Sequence, residues 1–285
     1  MPYRSTDLET VEDRVVFRSP DGLQLRGTLA RSEGPNVGAA VLVHGGGVTR
    51  DEGGFFTRLA AELAGAGIVS LRFDFRGHGE SEGRQEDLTL CGVVNDIGAA
   101  VKQVRRLAGA AAVHLVGTSF GGGITGFFAA RYPAEVRSLV LLNPLLNYKK
   151  RFIDEKTYWT NDEIDEEAGR RLAEHGFVEH SPTFKLGRPL LNELFFVKPH
   201  LVVPEVTAPT LFVHGTRDTF IPVESSRAAV DEMTSEARLV EIDGAQHGFA
   251  VRDDPGYREP QTQRWQALVI ETVTDWLLAH NKASA

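Results

Sequence analysis

The stretch Ala111-Ala112-Val113-His114-Leu115-Val116-Gly117-Thr118-Ser119-Phe120-Gly121 decides how the rest of the chain is read. Residues 111–116 are short, apolar and partly β-branched, which predicts a strand. Residues 122–132 are small and apolar and stop at Pro133, which predicts a helix. Between them stands Gly-x-Ser-x-Gly. A strand, a sharp turn and a helix hold a serine hydroxyl clear of a sheet, so Ser119 is a candidate nucleophile. The competing reading is a glycine-rich turn whose glycines only relieve backbone strain. The remaining sequence decides between the two.

Continuous apolar runs recur at residues 39–43, 68–73, 111–116, 139–142, 210–213 and 239–242. Runs without alternation suit strands of a parallel sheet covered on both faces. Two alternating segments, Val15-Val16-Phe17 and residues 23–29, flank Pro20-Asp21-Gly22 and predict an antiparallel opening pair. Helical spacing separates the runs: Phe56, Leu59, Ala60 and Leu63; then Leu90, Val94, Ile97, Val101 and Val104, with Asp87 or Thr89 as cap; finally Val269, Val273, Trp276 and Leu277. The expected fold is α/β, a mostly parallel doubly wound sheet with an antiparallel entry.

The rhythm breaks between Pro144 and Pro204. This segment carries the acidic run Asp162-Glu163-Ile164-Asp165-Glu166-Glu167, read as a solvated helix face. It also carries Phe152, Tyr158, Trp159, Phe177, Phe184, Phe195 and Phe196. It is too long for an ordinary connection. We expect a core of residues 1–143 and 206–285, with residues 144–205 inserted as a cap. Its aromatics form either a satellite core or an apolar substrate pocket, for which Trp159 and Phe196 are the candidates.

The 285 residues carry a net charge of −8, with 42% apolar and 25% charged residues. That is an ordinary globular composition, and the negative balance argues against a phosphate-binding surface, hence against nucleic acid as a partner. The single cysteine, Cys91, leaves no intrachain disulfide; within a helical apolar pattern it reads as a small buried hydrophobe. Met1-Pro2-Tyr3-Arg4-Ser5-Thr6-Asp7 has no signal-peptide apolar core, and no run approaches a membrane span. A cytoplasmic protein is therefore expected.

A serine hydroxyl needs a base within reach and an acid to orient that base. Asp218, in Gly215-Thr216-Arg217-Asp218, follows the run ending at Val213. His247, in Gly244-Ala245-Gln246-His247, follows the run ending at Ile242. Both fall where open α/β sheets place their sites, past the carboxyl ends of strands. Taken singly, Asp218 could be a turn former and His247 an exposed loop residue; together with Ser119, in this order, they read as a triad. Asp243 is the rival acid. His44, His78, His114 and His214 are rival bases, with buried structural roles expected for the last two. An oxyanion needs backbone donors. The Phe120 N–H is one candidate, and Gly46, in His44-Gly45-Gly46-Gly47, is the other, with Gly47 in reserve.

Over nearly its whole length the chain resembles serine α/β-hydrolases. The resemblance rests on residues 44–47, Asp74-Phe75-Arg76-Gly77-His78-Gly79-Glu80-Ser81, residues 117–121, 215–218 and 244–247. The branch it is most similar to holds the cinnamoyl/feruloyl esterases and the serine-aminopeptidase-like acyl hydrolases. That resemblance implies a cap between the sixth and seventh core strands, a structural role for residues 76–81, and hydrolysis of a small-molecule ester or thioester through an acyl-enzyme. Alternatives are a biosynthetic thioesterase or acyltransferase, and a ligand-binding protein on the same scaffold. No cofactor and no metal are expected: there is no His-Glu-x-x-His and one cysteine. No membrane partner is expected either, and a homodimer is admitted without being required.

Overall fold

The computed structural model describes residues 10–281; Met1–Asp7, read above for targeting signals, lie outside them. β1 (Val11–Arg18) and β2 (Gln24–Arg31) form the antiparallel opening pair. Gly22 turns between them at φ +94°, a conformation open to glycine at no steric cost. Then follow β3 (Gly38–Val43), α1 (Phe55–Gly65), β4 (Ile68–Asp74), α2 (Leu90–Ala108), β5 (Val113–Thr118), α3 (Ser119–Arg131) and β6 (Val136–Leu142). Every expected strand is present, most of them a residue or two longer than the apolar run that announced them. β5 instead starts two residues later, because residues 111–112 still belong to the turn.

Between β6 and the next strand of the main sheet lie β7 (Trp159–Thr160), β8 (Glu163–Ile164), α4 (Glu166–His175), β9 (Phe177–Ser181), β10 (Phe184–Gly187), α5 (Arg188–Glu193) and α6 (Pro199–Val202). β7 pairs with β8, and β9 with β10, as separate two-stranded hairpins. The acidic run is exposed, but it is not one helix face. It forms β8 and then the start of α4, where Asp165 accepts from the Ala168 N–H (2.7 Å) as N-cap. The core resumes with β11 (Thr210–Gly215), α7 (Glu224–Glu232), β12 (Ala237–Ile242) and α8 (Pro260–Ala279).

The main sheet has the order β1-β2-β4-β3-β5-β6-β11-β12. β2 meets β4 antiparallel, and every later pair is parallel. Even within the continuous apolar runs the faces alternate. Val41, Val43, Leu71, Phe73, Leu115 and Leu139 pack toward α2 and α3. Ala40, Leu42, Val116, Val140, Leu211 and Val213 pack toward α1 and α8. The strand order reverses between β3 and β5, and such a switch point opens a crevice at the carboxyl ends. Register sharpens this: Val43 pairs with Gly117, Thr118 with Leu142, and Gly215 with Ile242. The loops that leave β3 and β5 therefore start within one residue of each other, and those that leave β11 and β12 start together two residues further along.

Cys91 corrects the sequence reading: it is exposed. The buried stripe of α2 runs through Leu90, Val93, Val94, Ile97, Val101 and Val104, and one residue beyond Leu90 the helix has turned about 100° away. The thiol is pushed up to about 11, by partial desolvation and by the Glu193 carboxylate, so it is no thiolate at neutral pH.

Residues 76–81 act as scaffold. Arg76 bonds the buried Asp96 through Nη2 (2.8 Å) and Nε (3.0 Å), and its backbone N–H donates to the same carboxylate (2.9 Å). Asp74 accepts from the N–H groups of Arg50 (2.7 Å) and Glu80 (3.0 Å). Asp96→Ala would leave the largely buried guanidinium with only the exposed Asp21 carboxylate. The expected loss is about 3 kcal/mol of unfolding free energy, read from urea titrations; a loss below about 1 kcal/mol would count against this anchor.

Candidate active site

Thr118 ends β5 in extended conformation and Ser119 turns at once to φ +51°, a left-handed conformation costly for a residue with a Cβ. The two glycines of the pentapeptide make the turn possible by what they let approach. A Cβ on Gly117 would meet the Thr125 hydroxyl at 2.6 Å, and one on Gly121 would collide with the His44 carbonyl oxygen. The first turn of α3 thus lies directly against the loop that leaves β3.

His247 reaches Ser119 from the loop after β12. Its Nε2 accepts from the Ser119 hydroxyl (3.0 Å), and its Nδ1–H donates to Asp218 Oδ2 (2.6 Å). Asp218 also accepts from the N–H groups of Phe220 (2.8 Å) and Ile221 (2.9 Å). Burial alone would raise the Asp218 carboxyl, but hydrogen bonds from His214 and His247 outweigh it and hold the group well below the ordinary carboxylate range. The structure thus brings Ser119, His247 and Asp218 into one hydrogen-bonded line.

The rivals are occupied elsewhere. Asp243 accepts from the Thr216 hydroxyl (3.2 Å). His44 donates from Nδ1 to the Gly45 carbonyl (2.7 Å) and accepts at Nε2 from the Phe75 N–H (3.3 Å); burial keeps it well below the usual histidine range. His78 donates to the Arg76 carbonyl (3.2 Å) and accepts at Nε2 from the Gly47 N–H (3.1 Å); burial lowers it to about 4. His114 lies on Ser138 (2.8 Å), and His214 on Ser226 (2.7 Å) and the Ile221 carbonyl (2.9 Å). Both are buried in strands, as their apolar surroundings predicted.

The loop after β3 presents three successive glycine amides. Gly45 donates to the Glu52 carboxyl and Gly47 to His78, so Gly47 is taken out of reserve. The Gly46 N–H has no partner among the described residues. The Phe120 N–H stands in the first turn of α3, where helix amides lack intrahelical acceptors. The partly buried Glu52 carboxyl is raised to about 7, chiefly by burial and against the pull of the Gly45 N–H and of His247.

A cavity of 170 Å³ opens over Ser119. Gly46, Phe120 and His247 line its floor; Phe152, His180 and Phe184 from the inserted segment and Phe220 from the loop after Asp218 line its walls. Phe184 packs edge-on against Phe120 (5.2 Å) and reaches over Gly46, where a Cβ would stand 2.7 Å from its ring. His180 sets its edge against Phe152 (4.8 Å, 85°). Its Nδ1 is buried with no partner among the described residues, and burial lowers the imidazole to about 4. Trp159 and Phe196, the two sequence candidates for this pocket, are not in it. Trp159 is half-buried against Phe195. Phe196 is 84% exposed, because Leu194 and Val197 take the inward positions of that turn. Glu52, His180, Phe152, Phe184 and Phe220 were not singled out for the site in the sequence.

Among the described residues no group of three or more His, Cys, Asp or Glu is placed to hold a metal, and no helix is long and apolar enough to cross a membrane.

A strained serine at a strand-to-helix turn, a histidine and acid on later loops, and a parallel sheet with this order define an α/β hydrolase of the esterase- and lipase-like kind. Residues 34–253 match the family described as serine aminopeptidase, S33, and the chain belongs to it. It is 28% identical over 271 residues to a monoacylglycerol lipase of Mycolicibacterium smegmatis, covering 85% of this chain and 89% of that one. Two solved structures share the fold. Est1E from Butyrivibrio proteoclasticus, with ferulic acid bound, aligns with a TM-score of 0.77 at 22% identity, over 93% of this chain and 99% of its own. A monoacylglycerol lipase of Paleococcus ferrophilus aligns with a TM-score of 0.63 at 21% identity, over 96% and 100%.

Because the Asp218 carboxyl is depressed in the folded state, its ionised form stabilises the fold above its unfolded pKa of about 3.9 and this contribution is lost as pH falls through the lower folded value. Asp218→Asn should therefore be less stable than wild type at pH 7, with the gap closing on acidification below about pH 4. Urea midpoints measured across that range check it, and a gap independent of pH would contradict it.

Proposed function

We propose that this protein hydrolyses a carboxylic ester of a small molecule through an acyl-enzyme on Ser119. The observation that carries the reading is the line Asp218–His247–Ser119, at 2.6 and 3.0 Å, opening on a cavity beside an unpaired Gly46 N–H. The ester preference is supported by the mycolicibacterial relative, a monoacylglycerol lipase.

In this mechanism His247 Nε2 takes the Ser119 proton as Oγ bonds to the acyl carbon. Asp218 holds Nδ1–H and stabilises the imidazolium. The Phe120 and Gly46 N–H groups receive the oxyanion. The imidazolium returns its proton to the departing alkoxide. Water, deprotonated by the same imidazole, then releases the acid. A thioester would pass through the same steps with a thiol leaving.

The cavity is smaller than the roughly 300–1,000 Å³ typical of drug-sized ligand sites, which favours a compact acyl group over a long chain. Its walls are largely aromatic, with Arg151, His180 and Ser181 as polar points. Residues 144–205 serve as the cap that supplies most of these walls.

The test is hydrolysis of short and long p-nitrophenyl esters, a feruloyl ester and an acyl thioester. Ser119→Ala and Asp218→Asn are each expected to lose about 10⁴-fold in kcat while remaining folded. Folded wild type that turns over none of them, and takes no fluorophosphonate label at Ser119, would instead indicate a binding protein on this scaffold. In a second measurement, Phe152→Ala and His180→Phe should reorder the ester preferences, while Trp159→Ala and Phe196→Ala leave the order unchanged. Reordering by Phe196→Ala would restore it to the substrate pocket.

A further inference from the structure

Among the chemically costly groups at the site that the triad and the oxyanion donors do not use is the Glu52 carboxyl. Glu52 sits in the turn after the glycine loop at φ +47°, a left-handed conformation that persists in a non-glycine residue only when its surroundings hold it. Its carboxyl accepts from the Gly45 N–H. A Cβ built on Gly45 would stand 3.1 Å from Glu52 Oε1 and 3.3 Å from Ser119 Cβ, so the carboxyl and the nucleophile flank the same Gly45 α-carbon. Among the described residues no lysine or arginine pairs with it. The titratable groups that face it are His247, from the loop after β12, and Tyr257, from the loop before α8, whose ring lies against Gly53. A desolvated carboxyl with one amide donor and no cation is an expensive way to anchor a turn, and a neutral acceptor would satisfy the Gly45 N–H equally well.

We propose that Glu52 is a positioning residue for the Ser119–His247 pair, fixing the Gly45 peptide so that the next amide, Gly46 N–H, is left free at the cavity, and stabilising the imidazolium by its negative charge. The inference rests on the hydrolase reading above. Two features follow from the geometry. Of three consecutive glycine amides the outer two are tied, to Glu52 and to His78, and the middle one has no partner among the described residues. The carboxyl also titrates close to neutrality, so its charge, and with it the support given to the imidazolium, changes within the working range of a histidine base.

The experiment follows the second-order rate of Ser119 phosphonylation by a fluorophosphonate against pH, for wild type, Glu52→Gln and Glu52→Ala. In this reaction the Oγ–P bond forms, fluoride leaves, and the serine proton passes to His247, so the readout does not require the natural substrate. Glu52→Ala should slow labelling by about tenfold or more at every pH, having lost the anchor. Glu52→Gln keeps an oxygen that can accept from Gly45, so it should recover most of the plateau rate. Without the anion, its acid limb should move to lower pH by about half a unit to one unit, and the profile should fit a single ionisation. If Glu52→Ala does not fold, the Gln profile decides alone. An acid limb in Glu52→Gln that coincides with wild type, with wild type labelled at Ser119, overturns this inference and leaves the hydrolase reading standing. Wild type that is folded and not labelled overturns both.

Discussion

Much of this molecule depends on the contact between the first turn of α3 and the backbone that leaves β3. It exists because Gly121 has no side chain to strike the His44 carbonyl. That approach sets Ser119 beside the glycine loop, and the left-handed Ser119 backbone, at a cost of order 1–3 kcal/mol, is held from several sides. The Ser119 carbonyl accepts from Leu145 (2.9 Å), and the Phe120 carbonyl accepts from the buried Tyr148 hydroxyl. The aligned ends of β11 and β12 then start the acid and histidine loops together without further device.

Histidine chemistry in this chain is sorted by hydrogen bonding rather than by position along the sequence. His44, His78, His114 and His214 each have both ring nitrogens occupied by fixed partners. His44 and His78 use theirs to shape the glycine loop and its neighbour, and His214 supports the carboxylate that orients His247. His114 and His214 also meet serine hydroxyls, but both are buried in strands, whereas His247 meets the Ser119 hydroxyl at the cavity. The candidate site is therefore a small set of groups surrounded by imidazoles held as scaffold.

The core fold and the line Ser119–His247–Asp218 were legible in the sequence for one reason. Parallel strands are continuous apolar runs, and the candidate residues follow those runs at short distance, so topology alone puts them together. Glu52 was not legible, because nothing in Arg50-Asp51-Glu52-Gly53-Gly54 signals the left-handed backbone that Glu52 adopts. The inserted segment was legible as an interruption but not in its interior. Outside α4 its elements are short hairpins and helices of six residues or fewer, with no sustained period to tell the inward aromatics, Phe152 and Phe184, from the outward Phe196. Cys91 failed on a finer scale, one residue off the buried stripe of a helix that was itself correctly placed.

The tip of the β9–β10 hairpin rests on the glycine loop, with the Phe184 ring over Gly46 and the Thr183 carbonyl over Gly47, where a Cβ would come within 2.8 Å. The inserted segment and the floor of the cavity are thus packed directly against each other. A different segment grafted in its place would have to bring its own hairpin tip and a matching glycine loop. Changes to the shape of the cavity are accordingly accommodated more easily at its far walls than at the Phe184–Gly46 seam.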